Sequence, residues 1–488
     1  MNKYVTAALG LVFLYSLHSP HACAAEQAAE QPSQRLQSLV EMEQQPPASR
    51  TLNIHGWKAP TGGKVLFIRT TELPIIDLHV SFAAGSAHDG AHPGLAAATF
   101  SLINEGVPGK DLAAIMETFD GLGARFDMNI NHDRVTFSLR SLAADDKREP
   151  ALHLFNQLLG QPVLSDEALK RVKSQLHELI EAQRLNPDVQ INQALRETLL
   201  PGHPYARPVF GTSASVSALS HAQILAFHRQ AYSATGTLIT LVGDLTVEQA
   251  QALSLQVINA LPASAAMPAT LSPLPSDAIN SRHIERPSSQ THILLGQPGV
   301  AVQHPDYLAL KVAHVIFGGQ RLNSRLMTEL REKRGLTYTA QLQTPAWQAA
   351  SLAIIDFKTR PQYRDGSVAM VQTLYADFLR DGPTQQELDD AKAYLRSSNA
   401  LNSASNAQIL SRLVEINQFD LPLDLDFSVS QVQNLTVAQI KAALNRQFDA
   451  KKWSVVTLGP TVDQQPLPPP ASGTAGHMCR ADTGNVAS

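Results

Sequence analysis

Cysteine is nearly absent from this chain: two residues in 488, Cys23 and Cys479. That excludes a disulfide framework and a cysteine metal site. A cysteine nucleophile is excluded as well, because Cys23 lies in a leader segment and Cys479 in a polar tail. No sign of charge dominates either, with 39 Lys and Arg against 43 Asp and Glu and a net charge of −4. Without a basic run to neutralise phosphates, nucleic acid is not the main partner. Long apolar runs are scarce too. Val5–Leu17, VTAALGLVFLYSL, is too short to span a bilayer comfortably. It follows Lys3 and precedes the small residues Ala22, Ala24 and Ala25, the pattern of a secretory signal cleaved after Ala24 or Ala25. We read residues 1–25 as a signal peptide and the protein as exported to the periplasm of a bacterial cell envelope, with no membrane span after cleavage.

The familiar catalytic motifs are missing as well. No G-x-S-x-G, Walker loop or Rossmann fingerprint occurs. Of 17 histidines, His88 and His92 in HDGAHPG are the sole i, i+4 pair. Two histidines at that spacing bind zinc from a helix, but Gly90 and Pro93 disfavour one here. That stretch reads as a solvated loop before a helix.

What is present is a repeat. LSHAQILAFHRQAYSATGTLITLVGDLT, from Leu219, aligns without a gap with LTVAQIKAALNRQFDAKKWSVVTLGPTV, from Leu435, a shift of 216. Both copies open with a capping box, Ser220 with Gln223 and Thr436 with Gln439, and both end in a buried-type strand. Upstream, LSDEALKRVKSQL pairs with PTQQELDDAKAYL, where Ser165 and Thr384 are the caps. Two matches at nearly one shift indicate duplication of a unit of about 215 residues, too long for a solenoid.

Within a unit, Leu78, Val80 and Phe82 alternate, as do Phe126, Met128 and Ile130, and then Val135, Phe137 and Leu139. The short return through NHDR implies antiparallel pairing. The stretch 111–119 reads as a helix with Leu112, Ile115, Met116 and Phe119 on one face. The expected class is α+β: two homologous domains, each a mainly antiparallel sheet with helices packed on it, facing each other across a cleft. The expected division is a flexible lead-in at 26–50, an N-terminal domain at 51–266, a linker at Met267–Pro275, a C-terminal domain at 276–462 and a disordered tail at 463–488.

One helix reads GLAAATFSLINEG, Gly94–Gly106, and a second-half segment reads FGGQRLNSRLMTELREKRGLTY, Phe317–Tyr338. In the second, Ser324 caps a short helix with Leu326 and Leu330 inward, and Gly335 stops it. With these frames the chain resembles the pitrilysin/insulinase family of zinc peptidases, in the branch of mitochondrial processing peptidase subunits and their bacterial relatives, over nearly all of Thr51–Gly459. In active members of the family the first helix reads approximately GLAHLLEHMLFKGT. On that register the two metal histidines fall on Ala97 and Ser101, and the catalytic glutamate falls on Phe100. The family's third ligand, a glutamate about 77 residues after the second histidine, falls on Glu178, which alone cannot hold zinc. Glu178 is a relic ligand or an ordinary helix-surface acid, and the cost of burying an unpaired carboxylate favours the second. His177 points about 100° away and does not rescue the site. HPYARPVFGT, His203–Thr212, resembles a structural segment of the family.

The resemblance also implies that Arg331 and Tyr338 hold substrate backbone and stabilise the oxyanion, tasks that suit a guanidinium and a phenol. Taken singly, each is as readily a helix-end arginine and a core-edge tyrosine. Gly318 and Gly319 permit a close backbone approach to a peptide, or only form a turn. The function implied is a non-catalytic subunit of a heterodimeric zinc metallopeptidase. This chain would bind no cofactor. An H-x-x-E-H-bearing partner of the same family would hold the zinc, and an extended peptide would bind by strand addition. The alternative is a stand-alone peptide-binding or scaffold protein.

Overall fold

The computed structural model describes residues 52–265, 267, 271–275, 279–319, 323–401 and 403–471. The signal peptide, the lead-in and both cysteines lie outside these residues, as does part of the linker. The first sheet is built from β1 (Ile54–Lys58), β2 (Lys64–Arg69), β3 (Ile75–Phe82), β6 (Arg125–Ile130), β7 (Val135–Leu142) and β8 (Leu238–Gly243), in the order β1-β2-β8-β3-β7-β6. A small ribbon, β4 (Gly106–Val107) with β5 (Lys110–Asp111), lies beside it in sequence. The second sheet comprises β9 (Ser281–Glu285), β10 (Thr291–Pro298), β11 (Ala340–Gln343), β12 (Leu352–Thr359) and β13 (Ser454–Gly459), in the order β11-β12-β10-β13-β9. Each sheet holds one parallel pair, β2 with β8 and β9 with β13, and is otherwise antiparallel.

The duplication is exact where the sequences match. The helices His221–Ala231 and Val437–Gln447, like the strands β8 and β13, are separated by 216 positions at both ends. Both capping boxes form: Ser220 and Thr436 each accept from the N3 amide, and the glutamine side chains return to the cap amides. Thr384 and Glu387 make the same reciprocal pair at the start of Gln385–Leu401. The helix after Asp111 runs Leu112–Gly121 and buries only Ile115 and Phe119. Leu112 and Met116 are exposed, so the helix meets the sheet along a narrower stripe than its composition predicts.

Each sheet is covered on one face by helices of its own half. The other face takes a helix from the opposite half. Pro187–Leu199 has its first turn capped by Asn186, and lays Ile191, Ala194, Leu195 and Leu199 against Leu294, Leu352, Ile354, Val456 and Leu458 of the second sheet. In return, Asn406–Phe419 lays Ile409, Leu413 and Ile416 on Leu66, Ile68 and Val242 of the first. Asn417 of that helix donates to the Ile239 carbonyl at 2.9 Å and to Thr240 Oγ1 at 3.0 Å. Burial on both faces explains why LITLVG and SVVTLG read as unbroken apolar runs.

A buried polar joint locks the same contact. The Tyr205 hydroxyl donates to Asp133 Oδ1, the Gln348 amide donates to Asp133 Oδ2 at 2.9 Å, and the Ala349 amide donates to the Tyr205 oxygen at 3.3 Å. Trp347 packs on Tyr205 with ring centroids 4.5 Å apart. The NHDR turn and the HPYA segment of the first half are thereby fixed to the loop before β12. Past β13, the segment to Ala471 runs along the second half. The Gln465 amide donates to the Gln362 carbonyl at 2.8 Å, and Leu467 packs on the second core.

If the exchanged helices hold the halves together, Leu413→Ala costs about 2–5 kcal/mol in urea unfolding, the usual range for a buried leucine. Hydrogen exchange then rises in β2 and β8, more than 150 residues away in sequence but directly beneath the substitution.

Candidate functional site

The helix Leu95–Ile103 carries Ala97, Phe100 and Ser101 and is entered through Gly94. Gly94 adopts φ 93°, and a side chain there would meet the Phe210 carbonyl and Val216 at 3.0 Å. Only glycine suits that entry. Asp89 supplies the cap that Gly94 cannot: Oδ2 accepts from the Gly94 amide and Oδ1 from the Ala96 amide, both at 2.7 Å. Burial pushes the Asp89 carboxyl up to about 7, against those two amides and the nearby Arg207 charge. The role of Asp89 was not visible in HDGAHPG, because the loop must fold back before its carboxylate meets the helix end. Of the flanking histidines, His88 closes a short 3-10 turn, while the ring of exposed His92 contacts Gln223 Nε2.

Ala97 is fully buried. Phe100 packs against the first core, with its ring 6.3 Å from that of Phe137. Ser101 is half-buried. The neighbouring helix Asp166–Leu185 packs on this one, helped by the Arg171–Glu105 ion pair at 2.9 Å, and carries Glu178 exposed on its surface. One methyl, one phenyl and one hydroxyl with a single carboxylate do not fit zinc, which takes about three protein ligands in a catalytic site. Among the described residues no group of three His, Cys, Asp or Glu side chains could hold a metal ion.

The second-half segment folds differently from a plain helix. Met327–Glu332 is a π-helix, in which the Lys333 amide reaches the Thr328 carbonyl. Such turns are rare and favour functional sites. Ser324 is buried, and its Oγ accepts from the Met327 amide at 3.3 Å. Leu326 and Leu330 are fully buried. Arg325 makes a two-bond pair with Glu387, at 2.7 and 2.8 Å, and stacks over Phe378. Lys333 and Arg334 both pair with Glu329. Arg331 is the exception. It is exposed, and it has no ion-pair or hydrogen-bond partner for its side chain among the described residues.

Tyr338 is 81 % exposed. Its turn is rigidly pinned nonetheless. The Thr337 hydroxyl donates to the Thr339 carbonyl and accepts from the Thr339 amide, and the Thr359 hydroxyl donates to the Leu336 carbonyl. Beside it, Thr339 lines a cavity of about 220 Å3 with Asp188, His292, Asp356 and Lys358. Asp188 bridges the His292 ring and the Lys358 ammonium, both at 2.9 Å. These residues come from both halves and four elements, so no local motif could announce them. The glycine pair lies at the end of the helix Tyr307–Gly318. A side chain on Gly318 would strike Leu326 and Leu342 within 3 Å, so its close backbone approach is to this chain's own β11. Gly319 is crowded by Val315.

Two homologous α+β units, each with its sheet closed by a helix from the other, define the class of fold. The family model for insulinase (peptidase family M16) matches residues 64–213, and that for the peptidase M16 inactive domain matches 218–395. The crystal structure of a peptidase M16 inactive domain from Pseudomonas fluorescens is 42% identical, with a TM-score of 0.82, and covers 85% of this chain and 100% of that one. The chain belongs to the peptidase M16 family. A non-peptidase homolog, YmxG of Helicobacter pylori, is 27% identical over 77% of this chain and 87% of its own length. An uncharacterized zinc protease of Mycobacterium leprae is 25% identical over 86% and 95%.

Asp89 has a measurable signature. Its folded carboxyl titrates near 7, whereas an unfolded one titrates near 4, so folding favours the protonated form. That contribution is full below about pH 4 and is lost as the pH rises through 7. The stability of the wild type relative to Asp89→Asn, which cannot ionise, should therefore fall between about pH 4 and 7 when the two are compared by urea melts at each pH.

Proposed function

We propose that this M16 protein is the non-catalytic subunit of a heterodimeric zinc metallopeptidase, exported to the periplasm. It positions an extended peptide for a partner of the same family whose helix retains H-x-x-E-H. The observation that carries this reading is the pairing pattern around the π-helix. Three of its four described cations are tied to Glu387 or Glu329, while Arg331 and, seven residues on in the chain, Tyr338 stand exposed. Arginine and tyrosine are the side chains most often found at the energetic centre of protein contacts. Exposed hydrogen-bond donors also match what charge developing on a peptide carbonyl requires. The partner supplies the zinc and the base, and this chain supplies two hydrogen-bond donors and a wall of the chamber. A stand-alone scaffold would leave that pair without a task.

The test is reconstitution. The purified chain alone holds no stoichiometric zinc and cleaves no peptide, whereas the complex with an H-x-x-E-H-bearing partner from the same envelope cleaves. In that complex Arg331→Ala and Tyr338→Phe each lower kcat by about 100-fold or more, the usual cost of losing an oxyanion donor, with assembly unchanged. Cleavage by the isolated chain, or a complex indifferent to both substitutions, overturns the proposal.

A further inference from the structure

Past β13 the chain crosses the second half as a strap that reaches the π-helix. Its first anchor is Thr461, whose amide and hydroxyl donate to the Glu285 carboxylate of β9. Gln464 is the second: Oε1 accepts from the Asp365 amide at 3.0 Å, and Nε2 donates to the Pro361 carbonyl at 3.1 Å. The Gln465 amide adds its bond to the Gln362 carbonyl. Leu467 then seats on the second core over Gly366, where an added side chain would lie 2.9 Å from the leucine. The last anchor is a single bond, from the Ala471 amide to the Lys333 carbonyl at 2.7 Å.

Composition suits this course. Pro466, Pro468, Pro469 and Pro470 fix φ at about −65° and favour extended backbone for the residue before each. Such a segment has little conformational entropy to lose when it docks. Proline also lacks the N–H, so the Ala471 amide is the first backbone donor after Leu467.

Lys333 caps the π-helix, and its carbonyl is one of the terminal acceptors that a helix leaves without an internal partner. The other exit carbonyls are met locally. The Gly335 amide donates to the Arg331 carbonyl at 2.9 Å, and the Leu336 amide to the Leu330 carbonyl at 2.8 Å. Arg360 Nη2 donates to the Gly335 carbonyl at 3.3 Å, and its guanidinium stacks over Tyr363, in the turn that Gln464 also holds. The Arg331 side chain has no partner among the described residues, so the point from which its guanidinium extends is set by this backbone. We propose that the strap is the positioning element of Arg331. Leu467 seats it, and the Ala471 amide closes the π-helix exit, so that Arg331 meets peptide at a fixed place. The meeting with peptide rests on the proposed function; the closure of the exit does not.

Two substitutions in the full mature chain test this. Ala471→Pro removes the one donor and keeps an extended backbone. Leu467→Ala removes the seat. In the isolated chain each should speed hydrogen exchange at the Lys333, Gly335 and Leu336 amides by about 5-fold or more, the scale of one lost hydrogen bond. Exchange in β10 and β12 should not change. In the reconstituted complex each should lower kcat by about 5-fold with KM little altered, and the loss should not add to that of Arg331→Ala. Unchanged exchange at the exit in both variants overturns the proposal, whether or not the complex cleaves peptide. Losses in kcat that add in full to that of Arg331→Ala also overturn it, because a merely structural strap would act on any background. Faster exchange together with a complex indifferent to Arg331→Ala overturns the proposed function and upholds the closure of the exit by the strap.

Discussion

Most of this molecule depends on one constraint: neither sheet can bury both faces with helices of its own half. The outer helices of each half cover one side. The remaining side of the first sheet is closed by Ile409, Leu413 and Ile416 from the second half, and that of the second sheet by Ile191, Leu195 and Leu199 from the first. Each exposed face would otherwise present a continuous apolar surface to water, and such surfaces are rarely left open. The exchange makes the halves one cooperative body. It also places the buried Asp133–Tyr205 joint at the seam.

The helix Leu95–Ile103 still packs beside the helix carrying Glu178, with its glycine entry and its Asp89 cap intact. The cap and packing are maintained by backbone amides and core contacts, which do not depend on zinc donors. With Ala97 buried and Phe100 in contact with Phe137, part of that helix face is core. The π-helix in the second half follows the opposite logic. The paired cations around it and buried Leu326 and Leu330 fix the backbone, and Arg331 is left exposed without a partner among the described residues.

Much of the framework was legible in the sequence. The shift of 216 between Leu219 and Leu435 carried through to helix and strand ends without adjustment, because caps and strand burial are local consequences of residue type. The helix after Asp111 was legible in position but not in face. Leu112 and Met116 are apolar and at the right spacing, yet both stay exposed, because burial is decided by what packs against the helix. The polar residues that gather at the seam were not legible at all. Asp133, Gln348 and Asn417 lie far apart in the chain, and none belongs to a motif.

What the sequence alone determined was therefore the periodic and the local. It specified the duplicated α+β units, the helix termini, the absence of a histidine pair on the Gly94–Gly106 helix and the frame around Arg331 and Tyr338. These follow from side-chain chemistry within a few turns of backbone. The tertiary structure decided which helix covers which sheet, that Arg325, Lys333 and Arg334 find carboxylates while Arg331 has none among the described residues, and that Asp133, Tyr205 and Gln348 meet at the seam. Those outcomes depend on which distant groups share a volume from which water is excluded. There, a charge or an amide must find its partner in space rather than along the chain.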